Sequence, residues 1–259
     1  MATIDPALGV ARRCGGCRAD AFPLQIAMAF QPIVSVAERR VFAYEALVRG
    51  ADGSGAASVL ERLDDSNRYS FDQLCRVTAI EQAAALDLAR AGALLSINFL
   101  PNAVYRPEVC IGTTLATAKR VGFPTSNIIF EFTESEQTAD TAHVQSIIRA
   151  YDEMGFMTAI DDFGAGFSGL NLLADFQPDI IKLDMGLVRN LDHDRIRRTI
   201  VGSIVGAAQE LGITVVAEGV ETVGEYAALC DVGIDLMQGY LFARPALNAL
   251  PTIDWQAVA

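Results

Sequence analysis

The stretch IAMAFQPIVSVAERRVFAYEALV, residues 26–48, sets the direction of every strand that follows. Its two apolar runs are separated only by the polar AERR, which is too short for a helix. A connection of that length returns the chain antiparallel, so the two runs predict a hairpin. Downstream the spacing changes. The runs ALLSINF (93–99), NIIFEFT (127–133), MTAID (157–161), DIIKLD (179–184), TVVAEG (214–219) and LMQGYLF (236–242) are separated by longer stretches, mostly helical in pattern. Helical crossovers join parallel neighbours. Eight strands with the first reversed predict an α/β fold, a closed (β/α)8 barrel of the TIM type with one antiparallel strand. In one crossover Ile196, Ile200, Ile204, Ala208 and Leu211 recur every three or four residues, which predicts a helix with that face buried.

Before this pattern, residues 1–25 read as a leader without sustained period, and residues 26–259 as one domain. The leader carries CGGC at 14–17, which could be half of a zinc site or a redox pair, but with no second pair or histidine nearby no chemistry is expected there. With five cysteines in all, a disulfide framework is not expected, and Cys75, Cys110 and Cys230 read as apolar filler in helices. A hydrophobic fraction of 51% supports a large core, while the apolar runs are too short and charge-broken for a membrane span. No basic-then-apolar secretory layout opens the chain, so a cytoplasmic protein is the expectation. The net charge of −12 argues against a long nucleic acid as partner. A small phosphate-bearing ligand remains open, because bound metal ions can invert a local field.

In parallel barrels the working residues gather where strands end, since the loops there share one mouth. Those ends supply Glu45, Asn98, Glu131, Asp161 with Asp162, Lys182 with Asp184, Glu218 and Gln238. Strand period two refines the picture. Lys182 shares a face with Ile180 and Asp184, and Glu131 with Thr133, while Phe130, Phe132, Ile181 and Leu183 point outward under the helices. A lysine facing inward is costly unless carboxylates surround it, and here they do.

Crowded carboxylates raise one another's pKa, and protons or divalent cations relieve the repulsion. An oxygen-rich set with an amide and no imidazole suits Mg²⁺ or Mn²⁺ better than zinc. His143 and His193 fall in helical or polar connections and read as surface residues, which disfavours a histidine-based hydrolase. In TAIDDFGAGFSGL (158–170) the adjacent aspartates could hold two ions, or Asp162 could simply cap a following helix. The glycines at 164, 166 and 169 fit either a mobile loop or a plain strand-to-helix turn.

YEALVR (44–49), INFLP (97–101), FEFTE (130–134), DDFGAGFSGL (161–170), IKLD (181–184), AEGVE (217–221) and QGYLFARP (238–245) stand in this order. Together they closely resemble the EAL-domain family of cyclic di-GMP phosphodiesterases, over about residues 26–250. The resemblance implies hydrolysis of cyclic di-GMP to linear pGpG with two Mg²⁺ or Mn²⁺ ions. Glu45, Asn98, Glu131 and Asp161 would hold one ion, with Asp161 shared, and Asp162 and Glu218 would serve the other. Lys182 would orient the attacking water or stabilise charge, and Glu218 matches the family's proposed general base. Gln31, Leu47, Arg49, Asp184 and Gln238 would contact the nucleotide, Arg49 being suited to a phosphate oxygen. Glu134 and Glu221 would support the site from outside, Glu134 by anchoring the loop after Asp162. That loop commonly reads DDFGTGYSSL in the family; Ala165, Phe167 and Gly169 depart from it, which puts regulation in doubt rather than ligation. A homodimer through this loop and the next helix is implied, as is room for a regulatory protein partner.

Three other readings compete. A receptor that binds cyclic di-GMP without cleaving it typically lacks a ligand or the glutamate base, and every such position is filled here. A scaffold would not need Lys182 in an acidic mouth. An unrelated metal-dependent barrel enzyme would not share the whole ordered motif set.

Overall fold

The structure, a computed structural model, describes residues 20–133, 141–166 and 169–256. Strands β1 (Ile26–Ser35) and β2 (Arg40–Gly50) form the expected hairpin, with Gln31 opposite Glu45. From β2 onward the neighbours are parallel: β3 (Leu94–Asn98), β4 (Ile128–Thr133), β5 (Met157–Phe163), β6 (Ile180–Leu183), β7 (Thr214–Ala217) and β8 (Leu236–Gln238). β8 then pairs antiparallel with β1, Gln238 against Ile33, and closes the barrel. A two-residue ninth strand, β9 (Ala246–Leu247), pairs with β1 at Ala29 and Phe30. The apolar runs do not announce it, because it is too short to carry a period.

Two layers of core follow from the pleat. Inside the barrel Ile33, Ala43, Ile129, Ala159, Ile180, Val216 and Leu236 form one apolar cluster. Phe130, Phe132, Ile160, Ile181 and Leu183 belong to a second cluster, with residues from the helices around the barrel such as Ala79, Tyr151 and Val205. The inner cluster fixes what lies above it. Two positions further toward the mouth on the same faces stand Gln31, Glu45, Glu131, Asp161, Lys182, Glu218 and Gln238.

Several expectations need correction. In the helix Arg195–Leu211 the buried residues are Val201, Val205 and Ala208, whereas Ile196, Ile200 and Leu211 are 69%, 44% and 49% exposed. Of the expected face Ala208 is buried and Ile204 half-buried against the core, so the burying face is displaced by about a quarter-turn toward Val201 and Val205. Ile200 and Ile204 instead border a groove of about 460 Å³ shared with Phe163, Gly164, Leu170 and Leu187. Cys75 and Cys110 are buried as expected, but Cys230 is exposed. His193 is exposed, whereas His143 is half-buried with Nε2 2.6 Å from the carbonyl oxygen of Val104. Cys14 and Cys17 lie outside the described residues. No described helix is long and apolar enough to cross a membrane.

Candidate active site

Lys182 is the hub of the mouth. Its Nζ lies 2.7 Å from Glu218, 2.8 Å from Glu131, 2.9 Å from Asp161 and 3.4 Å from Glu45, carboxylates on or just beyond four other strands, Glu45 from the middle of β2. The side chain is 1% exposed, so it depends on these partners for compensation. Glu45 also accepts hydrogen bonds from Asn98 Nδ2 at 2.9 Å and Gln238 Nε2 at 2.7 Å. Ser96, one pleat below Asn98 on β3, donates its hydroxyl to Glu131. Ser96 was legible as the polar break in ALLSINF, yet strand-end reasoning passes over it.

The adjacent aspartates have a backbone explanation. In a regular strand consecutive side chains leave on opposite faces. Here the pairing of β5 with β6 slips between Ile160 and Phe163, and Asp162 takes φ = 53°. Aspartate tolerates this left-handed region better than most residues. Oxygens of Asp161, Asp162 and Glu218 consequently lie within 4.8 Å of one another, as do those of Glu45, Glu131 and Asp161. Asp161 belongs to both groups, which answers why two aspartates stand together.

Such crowding shows in protonation. Burial pushes Glu131 up to about 8; Lys182 pulls the other way, while Glu45 and Asp161 add to the push. Burial also carries Glu218 well above the ordinary carboxylate range, against the pull of Lys182. Asp162 is raised by burial and by Asp161. Burial opposes the charge on Glu45 too, but Lys182, Gln238 and Asn98 outweigh it and hold that group low. Lys182 is lifted well above its usual value because its carboxylates, Asp161 foremost, overcome burial. The mouth therefore holds more acid than one ammonium neutralises.

Around the hub, Gln31, Asp162, Asp184, Glu218 and Gln238 line a cavity of about 230 Å³. Asp184 also caps the short helix Met185–Val188, its Oδ1 accepting from Gly186 N at 2.8 Å. Leu47 and Arg49 line a separate pocket of about 280 Å³ together with Asn98. Glu221 is not brought in: it is exposed and pairs with Arg189 at 3.1 Å. Glu134 lies outside the described residues. The group holding the loop after Glu218 is Glu225, 2% exposed, which accepts from the backbone of Glu221, Thr222 and Asn190. Thr222 with Glu225 forms a capping box, so the T-x-x-E spacing could have revealed it. At Gly239 a Cβ would sit 2.0 Å from the carbonyl oxygen of Val220, so only glycine lets this loop close on Gln238.

A family model described as the EAL domain matches residues 21–245. The chain belongs to the EAL family. It is 36% identical over 227 residues to the blue light- and temperature-regulated antirepressor BluF of Escherichia coli K12, covering 88% of this chain and 56% of BluF. It is 39% identical over 127 residues to the cyclic di-GMP phosphodiesterase PdeR of the same organism, covering 49% of this chain and 19% of PdeR. The chain thus spans about half or less of these relatives. A standalone versatile EAL protein of Vibrio cholerae O395, in its c-di-GMP-bound form, superposes with a TM-score of 0.88 at 50% identity, covering 92% of this chain and 100% of that one. Klebsiella pneumoniae BlrP1, in a complex with manganese and cyclic di-GMP, gives 0.84 at 38% identity, covering 92% of this chain and 60% of that one.

Proposed function

We propose that this EAL domain is a metal-dependent phosphodiesterase that hydrolyses cyclic di-GMP to linear pGpG, using two Mg²⁺ or Mn²⁺ ions. The observation that carries this reading is the pair of carboxylate groups sharing Asp161. Both groups offer only oxygen donors, the set that hard divalent ions prefer. Glu45, Asn98, Glu131 and Asp161 would hold one ion, and Asp161, Asp162 and Glu218 the other. Bound there, such a pair would supply a more acidic water, its pKa brought from about 15.7 towards 7, and would stabilise charge at phosphorus.

The chain's own groups do the rest. Lys182, fixed by four carboxylates, presents its ammonium to the attacking water and to charge developing on the phosphate. Glu218, whose Oε1 lies 2.7 Å from Lys182, would take the proton from that water once bound cations keep the carboxylate ionised. Gln238 keeps Glu45 in place through its amide. Gln31 and Asp184, which border the cavity, contact the nucleotide, as do Leu47 and Arg49 from the second pocket. A second copy of the chain covers the groove beside this loop, where Ile200 and Leu170 stand exposed, and a regulatory protein partner is compatible with a cytoplasmic signalling role.

Similarity to an antirepressor supports a second reading, a receptor that binds cyclic di-GMP and acts through a protein partner. Turnover separates the two. Incubation with cyclic di-GMP and Mn²⁺ should yield pGpG by chromatography, suppressed by chelator and by Glu45→Ala. Intact nucleotide retained by folded, metal-loaded protein would favour the receptor.

A further inference from the structure

Arg76 is a fully buried arginine outside the barrel wall, on the helix Arg68–Ala85, and the site described above does not use it. Its Nε pairs with Asp72 at 2.8 Å, and its Nη1 donates to the hydroxyl of Tyr151 at 2.7 Å. Its guanidinium also lies 5.3 Å from the centroid of Phe99, 5.0 Å from Phe130 and 5.8 Å from Tyr151. A charge this deep is costly, and a methionine there would pack the same space without the cost of desolvation.

Two of those rings have telling neighbours. Phe99 follows Asn98, and Phe130 precedes Glu131, so each ring is the outward counterpart of a side chain facing the mouth. Asp72 completes the link: its Oδ1 accepts from Leu100 N at 3.0 Å, two residues after Asn98. The same segment is stitched to β4 by Phe99 N donating to the carbonyl oxygen of Glu131 at 2.9 Å. On the opposite flank, His143 meets the carbonyl of Val104. The segment after Asn98 is therefore held from two helices, and both also reach the strand of Glu131, Arg76 and Tyr151 each packing against Phe130.

We propose that Asp72, Arg76 and Tyr151 form a positioning network that holds Asn98 and Glu131 at the spacing a divalent ion requires. The network acts through Phe99, Phe130 and Leu100 and never touches the ion or the nucleotide. This inference rests on the metal-site reading given above. Groups that orient ligands from behind typically change metal affinity by about 10–100-fold when removed.

The test is Mn²⁺ binding by isothermal titration calorimetry on the whole chain, compared with turnover and thermal unfolding. Asp72→Asn with Arg76→Met removes the ion pair without leaving a buried lone charge, and the amide oxygen that Asp72→Asn introduces can still accept from Leu100 N. This double variant should fold, lose about tenfold in Mn²⁺ affinity, and regain most of its kcat at saturating Mn²⁺ with KM for the nucleotide unchanged. Tyr151→Phe, which removes only one hydrogen bond to Arg76, should lose about threefold and serves if the double variant fails to fold. Folded variants that bind Mn²⁺ within twofold of the unaltered chain would overturn the network. An unaltered chain that binds no Mn²⁺ would instead overturn the metal-site reading. One that binds Mn²⁺ without hydrolysing would sink only the phosphodiesterase activity, and the affinity comparison would still decide the network.

Discussion

Lys182 and Arg76 are both buried cations, on opposite sides of the same barrel wall, with 1% and 0% of their side chains exposed. Their partners differ. Arg76 has one carboxylate, Asp72, together with a hydroxyl and three aromatic rings. Lys182 has four carboxylates within 3.4 Å. A buried charge needs compensation, and one opposite charge at close range balances it in sign, even though Arg76 Nε and Nη2 lack well-aligned hydrogen-bond acceptors among the described residues. Four carboxylates oversupply it, and the excess has to be met by protons or by further cations. Charge balance thus separates the two: the Arg76 cluster is neutral and closed, whereas the Lys182 cluster is acidic and open to a cation.

The largest expected effect removes the residue shared by both carboxylate groups. Asp161→Ala should reduce hydrolysis of cyclic di-GMP by more than about a hundredfold, beyond what supporting residues reach. The barrel should keep its circular dichroism. Near-normal turnover in a folded Asp161→Ala protein would remove the distinction between the two clusters, because the acidic excess would then have no function.

Lys182→Met addresses the other side of the balance. Breaking a buried ion pair by removing one partner costs about 3–5 kcal/mol. Urea unfolding in chelator should show a loss of that order, and added Mn²⁺ should recover more stability than it adds to the unaltered chain. If Mn²⁺ adds equally to both, the carboxylates are not the common target of lysine and metal.

Acidity offers a third test. Glu131 is pushed up to about 8 when folded, above its ordinary value of 4.5. The folded state therefore keeps a proton that the unfolded chain releases, and this stabilises the fold fully below about 4.3. The contribution is lost as pH rises through about 8. In chelator, the denaturation midpoint of the unaltered chain should fall between about pH 5 and pH 9, and Glu131→Gln should flatten that slope. An unchanged slope in Glu131→Gln would place the excess proton on another group.

Much of the Lys182 cluster was legible because strand pleat is a rigid rule. Once Ile180 and Ile129 face inward, Lys182 and Glu131 must follow two residues later. The (β/α)8 barrel followed from the short AERR connection and the long ones after it. The Arg76 cluster was not legible, since a lone arginine in DQLCRVTAI reads as a solvated helix charge, and burial there depends on rings brought from β3, β4 and the helix Thr141–Glu153. The left-handed turn at Asp162 escaped for a similar reason: a register slip is a relation between two strands. On Arg195–Leu211 the apolar face extends on both sides of Ala208, and only the neighbouring strands select Val201 and Val205 over Ile196 and Ile200.

The smallest expected effects come from deleting one hydroxyl in each cluster. Ser96→Ala removes the donor to Glu131 and Tyr151→Phe removes the acceptor from Arg76. Each should cost about 1–3 kcal/mol, because each leaves a buried polar group short of a partner. The pH dependence should tell them apart. The Ser96 hydroxyl favours the charged form of Glu131, so its loss should move the window of falling stability to higher pH. Tyr151 faces a guanidinium that stays protonated throughout that range, so Tyr151→Phe should lower stability while leaving the window where the unaltered chain has it. Urea midpoints from about pH 5 to pH 9 in chelator would read both. A shifted window in Tyr151→Phe would mean that the two clusters exchange charge through the wall, and that the neutral one is not closed.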